Sequence, residues 1–573
     1  MGYAQTTYYV ASSGSDSNNG RASDAPFQSI NKINSLALQP GDQILFRRGD
    51  TFRGTLQITQ SGSSMSPIVI DAYGAGNKPV LAGSSLVSNW TNIGNNLWQA
   101  TCSACGDRVT GVYRNNAALP LGRYPNLDVS NKGYLTVQSH SGRSSLTSQQ
   151  ALITNWTGAE AVFRPVNWIL NRSIIRGQSG NTLQLDGSGN FNVSDNWGYF
   201  IQNHPSTLDQ VGEWYYNPAT KTIQLFDNQA NPNNSSITAT TRAQSIVLTS
   251  VAYITIRNLQ LAQSVATGIL ATNTSNLVFS SNDVVQSGED GISLQGSGSQ
   301  ILMEGNLIED ANNNGLIIGA YQNFTFRGNT VQKIGLLPGR GKSGDGTYIG
   351  ILMATTANTL FENNIIDNIG YNGITFSTST TIQHNQVSNF CMTKSDGSGL
   401  YIWNGNQQVM ANMHLLSNVV FNGIGAPEGA PSDQPAEANG IYLDDCTTNI
   451  EVANNTVYNC AGMGIYFHGT SNSKLTGNTL FNNSEAQFVI RNVNGCPPQT
   501  NVIKGNQFVS RLATQPTAKY EASSVAEVAN FGQFDNNVYA RPFEDVNKIH
   551  VYYGNVTGGD GYLVSSVAEP IRA

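Results

Sequence analysis

Residues 439–478 read NGIYLDDCTTNIEVANNTVYNCAGMGIYFHGTSNSKLTGN, and this stretch contains the same unit twice. In each unit a Gly-Ile-Tyr-apolar strand is followed by a polar turn and by a second strand that ends in asparagine. The two matching asparagines, Asn455 and Asn478, are 23 residues apart. A fixed period of this length indicates a repeat architecture in which short units stack on one another.

Asparagine marks the same point of the unit along much of the chain. The equivalent positions are Asn282, Asn306, Asn329, Asn364, Asn385, Asn418, Asn455, Asn478 and Asn506. Four of the eight steps between them are 21–24 residues and one is 28. Two short strands with turns fit in such a unit, whereas a strand and a crossover helix do not fit comfortably. The sequence therefore predicts an all-β parallel β-helix whose asparagines hydrogen-bond from coil to coil.

Three of the eight steps in this series of asparagines, which we call the asparagine ladder, are longer than the period. Their extra residues fall mainly in 333–346, 389–397 and 422–438, and each of these segments precedes a Gly-Ile-x-Leu strand or its equivalent. Insertions that recur at one point of a repeat emerge on one side of the solenoid, which is often the binding side. We therefore expect neighbouring coils to carry long loops that wall a groove.

Composition narrows the possible functions. The 573 residues include 12% charged side chains, and the net charge is −7. The sequence has no basic run, so nucleic acid is not an expected partner. It has no apolar stretch of 18 residues, so we expect no membrane span. Cys102 and Cys105 form a lone CxxC, which fits a local disulfide or unpaired thiols better than a zinc site. The first residues, Met-Gly-Tyr-Ala-Gln, are consistent with a mature chain after removal of a signal peptide.

The first part of the chain contains YYVASSGSDSNNG at 8–20, LQPGDQILFRRGDTFRG at 38–54 and SPIVIDAYGAGNKPVLAG at 66–83. These motifs resemble the N-terminus of right-handed parallel β-helix enzymes that act on polysaccharides. A short helix at residues 30–38 would cap the open end of the solenoid. The segments GVYRNNAALPLGRYPN at 111–126 and LDQVGEWYYNPATKTIQLF at 208–226 resemble the β-sandwich inserted in β-xylosidase-type and fucosidase/xylanase-type glycoside hydrolases.

The repeat and the resemblance together divide the chain into four parts. Residues 1–83 form the cap and the first coils, 84–241 the inserted β-sandwich-like domain, 242–510 the main β-helix and 511–573 the final coils or tail. The resemblance implies a glycoside hydrolase. The first residues predict a secreted or periplasmic bacterial protein, and a reaction carried by two carboxyl groups requires no metal or other cofactor. The expected partner of the protein is a polysaccharide or oligosaccharide of plant or algal origin.

The strand after each repeated glycine shows which side chains face outward. Positions one and three after the glycine are apolar and point inward, so positions two and four point outward. Early coils carry plain residues there, whereas later coils carry aromatic and polar ones that suit sugar rings and hydroxyls. The predicted substrate-binding residues are Tyr401, Trp403, Tyr442, Tyr466, His468 and Arg491. The alternative is an aromatic stack that only stabilises the sheet.

Carboxylates lie beside this outward face. Asp396 and Glu437 each precede their coil's glycine by three residues, so they should occupy equivalent positions on adjacent coils, within reach of a retaining pair. Asp444 lies seven positions beyond Glu437, and pairing it with either carboxylate would suit an inverting mechanism. Asp345, in the first long loop, is a further catalytic candidate. We expect Asp445 to point away from Asp444, and we expect His468 or Arg491 to hold one carboxylate ionised.

Two other functions fit the sequence. A polysaccharide lyase would need a basic residue near the groove, and Arg340, Lys342, Lys394 and Arg491 are available. The face is not basic, however, as a groove for an acidic polymer should be. The other alternative is a non-catalytic solenoid that binds glycans. The sequence does not distinguish the sugar, the anomer, or retention from inversion.

Overall fold

The computed structural model describes residues 5–354, 357–493, 495–542, 549–553 and 561–564. It confirms the predicted parallel β-helix. A 26-stranded and a 13-stranded sheet run along the solenoid, and their consecutive strands pair in parallel apart from the last pair. The larger sheet has two faces, because the long strands Ile292–Glu304 and Leu316–Arg327 bend and contribute to both. The solenoid thus has three faces, which we call the front, second and third face, and each complete coil contributes a strand segment to each of them.

The strands of each face follow the order of the coils. The front face contains Leu56–Ile58, Gln244–Thr249, Thr267–Thr272, Ile292–Glu304, Leu316–Arg327, Ile351–Met353, Ile374–Thr375, Gly397–Trp403, Ala438–Asp444, Met463–His468, Ala486–Arg491, Ala518–Ala522, Ile549–Tyr553 and the antiparallel Gly561–Val564. The second face contains Thr7–Val10, Gln43–Arg47, Ile68–Tyr73, Ala252–Arg257, Ser275–Ser280, the two long strands, Ala357–Glu362, Thr380–Gln383, Met413–Leu416, Ile450–Ala453, Lys474–Thr476, Asn501–Lys504 and Gly532–Asp535. The third face contains Thr51–Arg53, Val80–Ala82, Gln260–Ala262, Asp283–Val285, Leu307–Glu309, Thr330–Ile334, Ile365–Ile369, Gln386–Phe390, Val419–Gly423, Thr456–Tyr458, Thr479–Phe481, Gln507–Val509 and Val538–Ala540.

The region between Ala82 and Gln244 interrupts the solenoid with antiparallel strands. Its strands are Ser84–Leu86, Thr91–Gly94, Leu97–Thr101, Val112–Arg114, Ala117–Ala118, Arg123–Tyr124, Leu135–Ser141, Ser145–Ser148, Glu160–Val166, Ile169–Ser179, Thr182–Leu185, Gly198–Gln202, Trp214–Asn217, Thr222–Phe226 and Ile237–Thr240. Six of them close into a barrel, because Glu160–Val166 pairs with both Ile169–Ser179 and Gly198–Gln202. The coils then resume in register, with Ile246 opposite Leu56.

Helices are short in the described residues. The α-helices are Ile30–Asn34 and Val525–Asn530, and the 3-10 turns are Ser130–Gly133, Pro205–Thr207 and Pro232–Asn234. The first α-helix is shorter than the sequence suggests, and it buries Ile30 and Ile33 at the start of the solenoid. Among the described residues, no helix is long and apolar enough to cross a membrane.

The asparagine ladder joins the coils through their interior. From Asn282 to Asn506, each side-chain Nδ2 donates to the Oδ1 of the next asparagine at 2.9–3.2 Å, and the chain extends one step further to Asn537. Each amide also receives or makes backbone hydrogen bonds across coils, and these asparagines are buried apart from the last. Buried amides with all their groups paired stabilise the stack, whereas an unpaired group would cost free energy.

We predict that Asn455→Ala destabilises the protein strongly. The substitution leaves the buried backbone N–H of Asn418 and the carbonyl of Leu415 without their partners, at a cost of about 1–3 kcal/mol for each group. The midpoint of thermal unfolding should fall by several degrees. Asn228→Ala, at an exposed position of the inserted region, is the matched control and should leave the midpoint unchanged. Equal midpoints for the two variants would contradict a stabilising ladder.

Candidate active site

The front face aligns the predicted columns of outward side chains. Tyr401 lies opposite Tyr442, and Trp403 lies opposite Asp444. On the following coils Tyr442 lies opposite Tyr466, and His468 opposite Arg491. The strand pairing of Gly397 with Ala438 also makes Asp396 and Glu437 equivalent residues of adjacent coils. The predicted alignment of the coils is therefore confirmed.

A cavity of about 630 Å³ opens on this face. Its walls come from five successive coils, from Ile349 to His468, and from Trp168 of the inserted region. Among the described residues, four carboxylates line it, Asp345, Asp396, Asp444 and Asp445, and the lining includes no lysine or arginine. Aromatic rings supply much of the remaining surface: Trp168, Tyr371, Phe376, Tyr401, Trp403 and Tyr442. A cavity with carboxylates among aromatic rings suits a sugar whose hydroxyls bind acidic groups.

Asp444 is held by two side chains inside this cavity. The Tyr401 hydroxyl donates to Asp444 Oδ2 at 2.7 Å, and His468 Nδ1 lies 2.8 Å from Asp444 Oδ1. Burial and the neighbouring Asp444 charge raise the pKa of Tyr401 far above its usual range, so the tyrosine keeps its proton and remains a donor. Both carboxylate oxygens are thus oriented, with the negative charge supported by hydrogen bonds.

Asp396 has a different environment from Asp444. Burial, followed by the charge of Asp444, raises the pKa of Asp396 to about 6. The loop holds it in place, because its backbone N–H donates to the Glu437 carbonyl and its carbonyl accepts from the Tyr371 hydroxyl at 2.8 Å. Two carboxyl groups in one cavity with unlike environments are the arrangement that separates an acid from an ionised partner.

Asp445 also faces the cavity, which corrects the expectation that it points away from Asp444. Its backbone leaves the strand with φ 36°, outside the extended conformation that alternates side chains between faces. Its carboxylate accepts from Trp403 Nε1 at 2.9 Å and lies 3.3 Å from His468 Nδ1. His468 therefore contacts both aspartates, and Asp445 fixes the edge of the Trp403 ring.

Of the other two predicted catalytic carboxylates, Asp345 lies in the cavity lining and Glu437 lies outside it. Asp345 lines the cavity but is exposed, and it accepts a hydrogen bond from the Gly346 N–H in its own turn. Glu437 does not belong to the cavity lining. Burial, then the carboxylates of Glu485 and Asp396, raise the pKa of Glu437 to about 8, and its carboxyl hydrogen-bonds to that of Glu485. Lys519 Nζ lies 3.5 Å from the Glu485 carboxylate.

Two of the predicted sugar-binding residues, Tyr466 and Arg491, lie outside the cavity lining, and a third, Tyr442, lines the cavity although it is largely buried. Tyr466 is 2% exposed and Tyr442 is 6% exposed, and their rings stack at a centroid distance of 4.7 Å. Of these two tyrosines, Tyr442 alone belongs to the cavity lining. Arg491 lies outside the lining and forms an ion pair with Glu521, so it does not hold a cavity carboxylate. The aromatic column therefore acts partly as a stack that supports the sheet, and Tyr401, Trp403 and His468 carry its exposed part.

The inserted region contributes a hairpin tip, Asn167 and Trp168, that sequence reasoning missed. The Asn167 carbonyl accepts from the Ser395 N–H, and its Nδ2 donates to the Pro435 carbonyl at 3.5 Å. The next residues reach the first long loop, where the Gly344 N–H donates to the Leu170 carbonyl. The tip thus contacts all three long loops and places Trp168 in the cavity. The signal was weak, because VNWIL at 166–170 carries no feature of a sugar-binding motif.

The basic residues that a lyase mechanism would need form contacts outside the cavity. Lys342 pairs with Asp290 at 2.5 Å, and Arg340 binds the Thr110 carbonyl. Lys394 is buried, with its ammonium 2.9 Å from Thr347 Oγ1 and 4.8 Å from the Tyr371 ring centroid. Burial lowers the pKa of Lys394 to about 7. These side chains support the loops behind the cavity and do not line it.

Asp444, Asp445 and His468 are also the group that could hold a metal ion. One ligand atom from each lies within 4.8 Å of the others. The two hydrogen bonds of Asp444 and the Trp403 contact of Asp445 account for the arrangement of these side chains. We assign no step of the chemistry to a metal.

Comparison with known proteins agrees with this architecture. A family model described as "Right handed beta helix region" matches residues 183–348, 244–420 and 345–538, which together cover more than half of the chain. The chain belongs to the right-handed β-helix family. This β-helix protein is also similar to a solved structure named "Glycoside hydrolase", with a TM-score of 0.59 and 13% identity over 93% of this chain and 96% of the other. Identity at this level shows the fold alone.

A curated relative is similar over a shorter segment. The lacto-N-biosidase of Bifidobacterium longum subsp. longum is 39% identical to this β-helix protein over 111 residues, which cover 17% of this chain and 7% of the relative. The match therefore spans less than a tenth of that enzyme's length. A solved lacto-N-biosidase from Eubacterium ramulus aligns with 93% of this chain and 68% of its own, at 14% identity and a TM-score of 0.40.

We predict that Arg164→Leu loosens the loop at 422–438. The buried Arg164 guanidinium donates to the carbonyls of Ala426 and Glu428 at 2.6 and 2.7 Å and to the Asn167 carbonyl at 2.9 Å. Without it the Glu428 carbonyl loses the Arg164 donor, and the carbonyls of Ala426 and Asn167 keep only their hydrogen bonds from Ser395, so the loop should open more often. Limited proteolysis with mass spectrometry should find faster cleavage within 425–437.

The control for this prediction is Arg176→Leu. That side chain is 67% exposed and lies 3.7 Å from Asp186 on the far part of the same hairpin. It should leave the cleavage rate of the loop unchanged. Unaltered cleavage in Arg164→Leu would show that other contacts hold the loop.

Proposed function

We propose that this β-helix protein is a glycoside hydrolase that acts on a plant or algal polysaccharide or on oligosaccharides derived from it. The observation that carries the proposal is the pair Asp396 and Asp444, two carboxyl groups of one cavity with opposite environments. Local similarity to a lacto-N-biosidase supports the same reaction class. The carboxylate-lined cavity, free of lysine and arginine, favours a neutral glycan over a polyuronate.

In the proposed mechanism, Asp396 is the proton donor. Its raised pKa keeps it protonated in mildly acidic solution, so it can donate to the glycosidic oxygen as the bond to the anomeric carbon breaks. Asp444 is the second carboxylate, opposite the developing positive charge, and its two hydrogen-bond donors, Tyr401 and His468, fix its oxygens. Asp444 then attacks the anomeric carbon or activates a water, and the anomer of the product distinguishes these two roles.

Trp168, Tyr401 and Trp403 bind the sugar in this proposal. Trp403 is 48% exposed at the rim of the cavity, and Asp445 fixes its Nε1, so the exposed part of the oriented ring can stack on a sugar ring. Trp168 approaches from the inserted region on the side of the long loops. A glycan in the cavity would lie between the two tryptophans.

The first test is a panel of glycans with two readouts. We would incubate the protein with xylans, fucose-containing glycans, pectins, alginate and the oligosaccharides that a lacto-N-biosidase cleaves. New reducing ends without ultraviolet absorbance are expected, because hydrolysis creates no double bond. Rising absorbance from an unsaturated uronate would replace this proposal with β-elimination, and silence in both readouts would favour a glycan-binding solenoid.

We predict that Asp444→Asn and Asp396→Asn each lower kcat/KM by about 10²–10⁴-fold, the range typical of a lost acid or base. The matched control is Glu451→Gln. Glu451 forms a similar carboxylate–histidine pair with His414 at 2.8 Å, outside the cavity, and its loss should change kcat/KM less than twofold. Full activity in either aspartate variant would remove that residue from the mechanism.

We predict that activity falls as the pH rises through about 6. The donor must be protonated, so kcat/KM is lost above the pKa of Asp396, which lies near 6. Glu437 has a pKa of about 8, and a basic limb near pH 8 would assign the proton to Glu437 instead. The pH profile of Glu437→Gln separates the two cases, because the limb near 6 should persist in that variant.

A further inference from the structure

A second cavity, of about 410 Å³, lies beside the proposed active site. The linings of the two cavities meet along three adjacent coils. The first cavity ends at Trp403, Asp445 and His468, and the second begins at the residues that follow them, Asn404, Cys446 and Gly469. The two spaces therefore share an edge formed where three front-face strands end.

The lining of the second cavity differs from that of the first. It contains no aspartate, glutamate, lysine, arginine or histidine. Amide and hydroxyl side chains make up about half of the lining residues, including those of Gln407, Gln408, Asn449, Ser471, Asn472 and Gln499. Amides and hydroxyls both donate and accept hydrogen bonds, which matches the hydroxyls of an uncharged sugar. Val409, 92% exposed, adds apolar surface of the kind that sugar ring faces contact.

A covalent link forms part of the wall of this cavity. The disulfide Cys446–Cys496 joins positions 50 residues apart, and both cysteines belong to the lining. Gly469 lies between them with φ 69°, where a Cβ atom would come within 3.1 Å of the Cys446 nitrogen and the Cys496 carbonyl oxygen. The absence of a side chain at Gly469 lets the two turns approach. The cavity is thus held open by built features of three neighbouring coils.

The edge between the cavities is formed partly by Trp403. Its ring contacts Gly405, where a Cβ atom would lie 2.3 Å from the ring, so the turn that begins the second cavity packs against the indole. Trp403 as a whole residue remains 48% exposed. An aromatic ring placed between a catalytic cavity and an uncharged groove suits a sugar chain that crosses from one to the other.

We propose that the second cavity is a distal subsite that binds the continuation of a neutral oligosaccharide whose cleaved bond lies at Asp444. The inference rests on the proposed hydrolase function and extends it, because it assigns the chain length that the protein selects. A substrate of two sugars would fill the first cavity alone. A longer neutral chain would also reach the amide groups beyond Trp403, whereas a charged chain would find no counter-charge there.

The test compares chain lengths in two matched variants. The probes are the two-sugar and six-sugar members of the xylan, mannan, β-glucan and galactan series, with a six-sugar oligogalacturonate as the charged comparison. Gln499→Trp places a bulky ring in the second cavity from an exposed position. Gln507→Trp is the control, because Gln507 is exposed on the third face, away from both cavities.

The measured quantity is the ratio of kcat/KM for the six-sugar and the two-sugar substrate of a cleaved series. We expect the native protein to prefer the six-sugar chain, and we expect Gln499→Trp to lower that ratio about tenfold while Gln507→Trp preserves it. An unchanged ratio in Gln499→Trp, or a native preference for the oligogalacturonate, would overturn the subsite while leaving the hydrolase function intact. Absence of cleavage in every series would overturn both.

Discussion

The hydrogen bonds between successive coils are the constraint on which the rest of this molecule depends. Parallel strands repeat at a spacing of about 4.8 Å, so a residue placed on one coil has its equivalent at a fixed distance on the next. The buried asparagines from Asn282 onward keep that spacing in the interior, and the front-face pairings keep it at the surface. Side chains far apart in sequence, such as Trp403, Asp444 and His468, therefore lie together without a dedicated loop to position them.

This regular support allows the irregular parts to tune the chemistry. Asp444 lies on a strand and is supported by neighbours of the same sheet, Tyr401 and His468. Asp396 lies in a long loop, where burial disfavours its charged form. The strand thus supplies a carboxylate with two side-chain hydrogen-bond partners, and the loop supplies one whose pKa is raised by burial. The difference between the two arises from the place of each residue in the repeat.

Much of the fold can be predicted from the sequence, because the repeat period, the repeated asparagines and the alternation of apolar residues are all local patterns. The sequence also located the face on which the cavity lies, and it placed Asp396 and Glu437 in register. It could not reveal that Tyr466 is buried, that Arg491 is taken by Glu521, or that Asp445 turns toward the cavity through a positive φ. Trp168 and Glu485 were beyond reach as well, since contacts between distant segments leave no periodic signal. The disulfide between Cys446 and Cys496 also joins distant segments, so the sequence could not predict it either.

The hairpin tip of the inserted region is synthesised before the loops that it contacts in the folded protein. Asn167 and Leu170 precede in the chain every loop that they contact, since the partner of Leu170 lies at residue 344 and those of Asn167 lie at residues 395 and 435. As the chain leaves the ribosome, the barrel is made first, and the coils that will receive its tip follow one after another. The buried partners of Arg164, at Ala426 and Glu428, are among the last of these. One wall of the cavity, formed by Trp168, is therefore synthesised early. The cavity is complete only after the later coils that form its other walls have been synthesised.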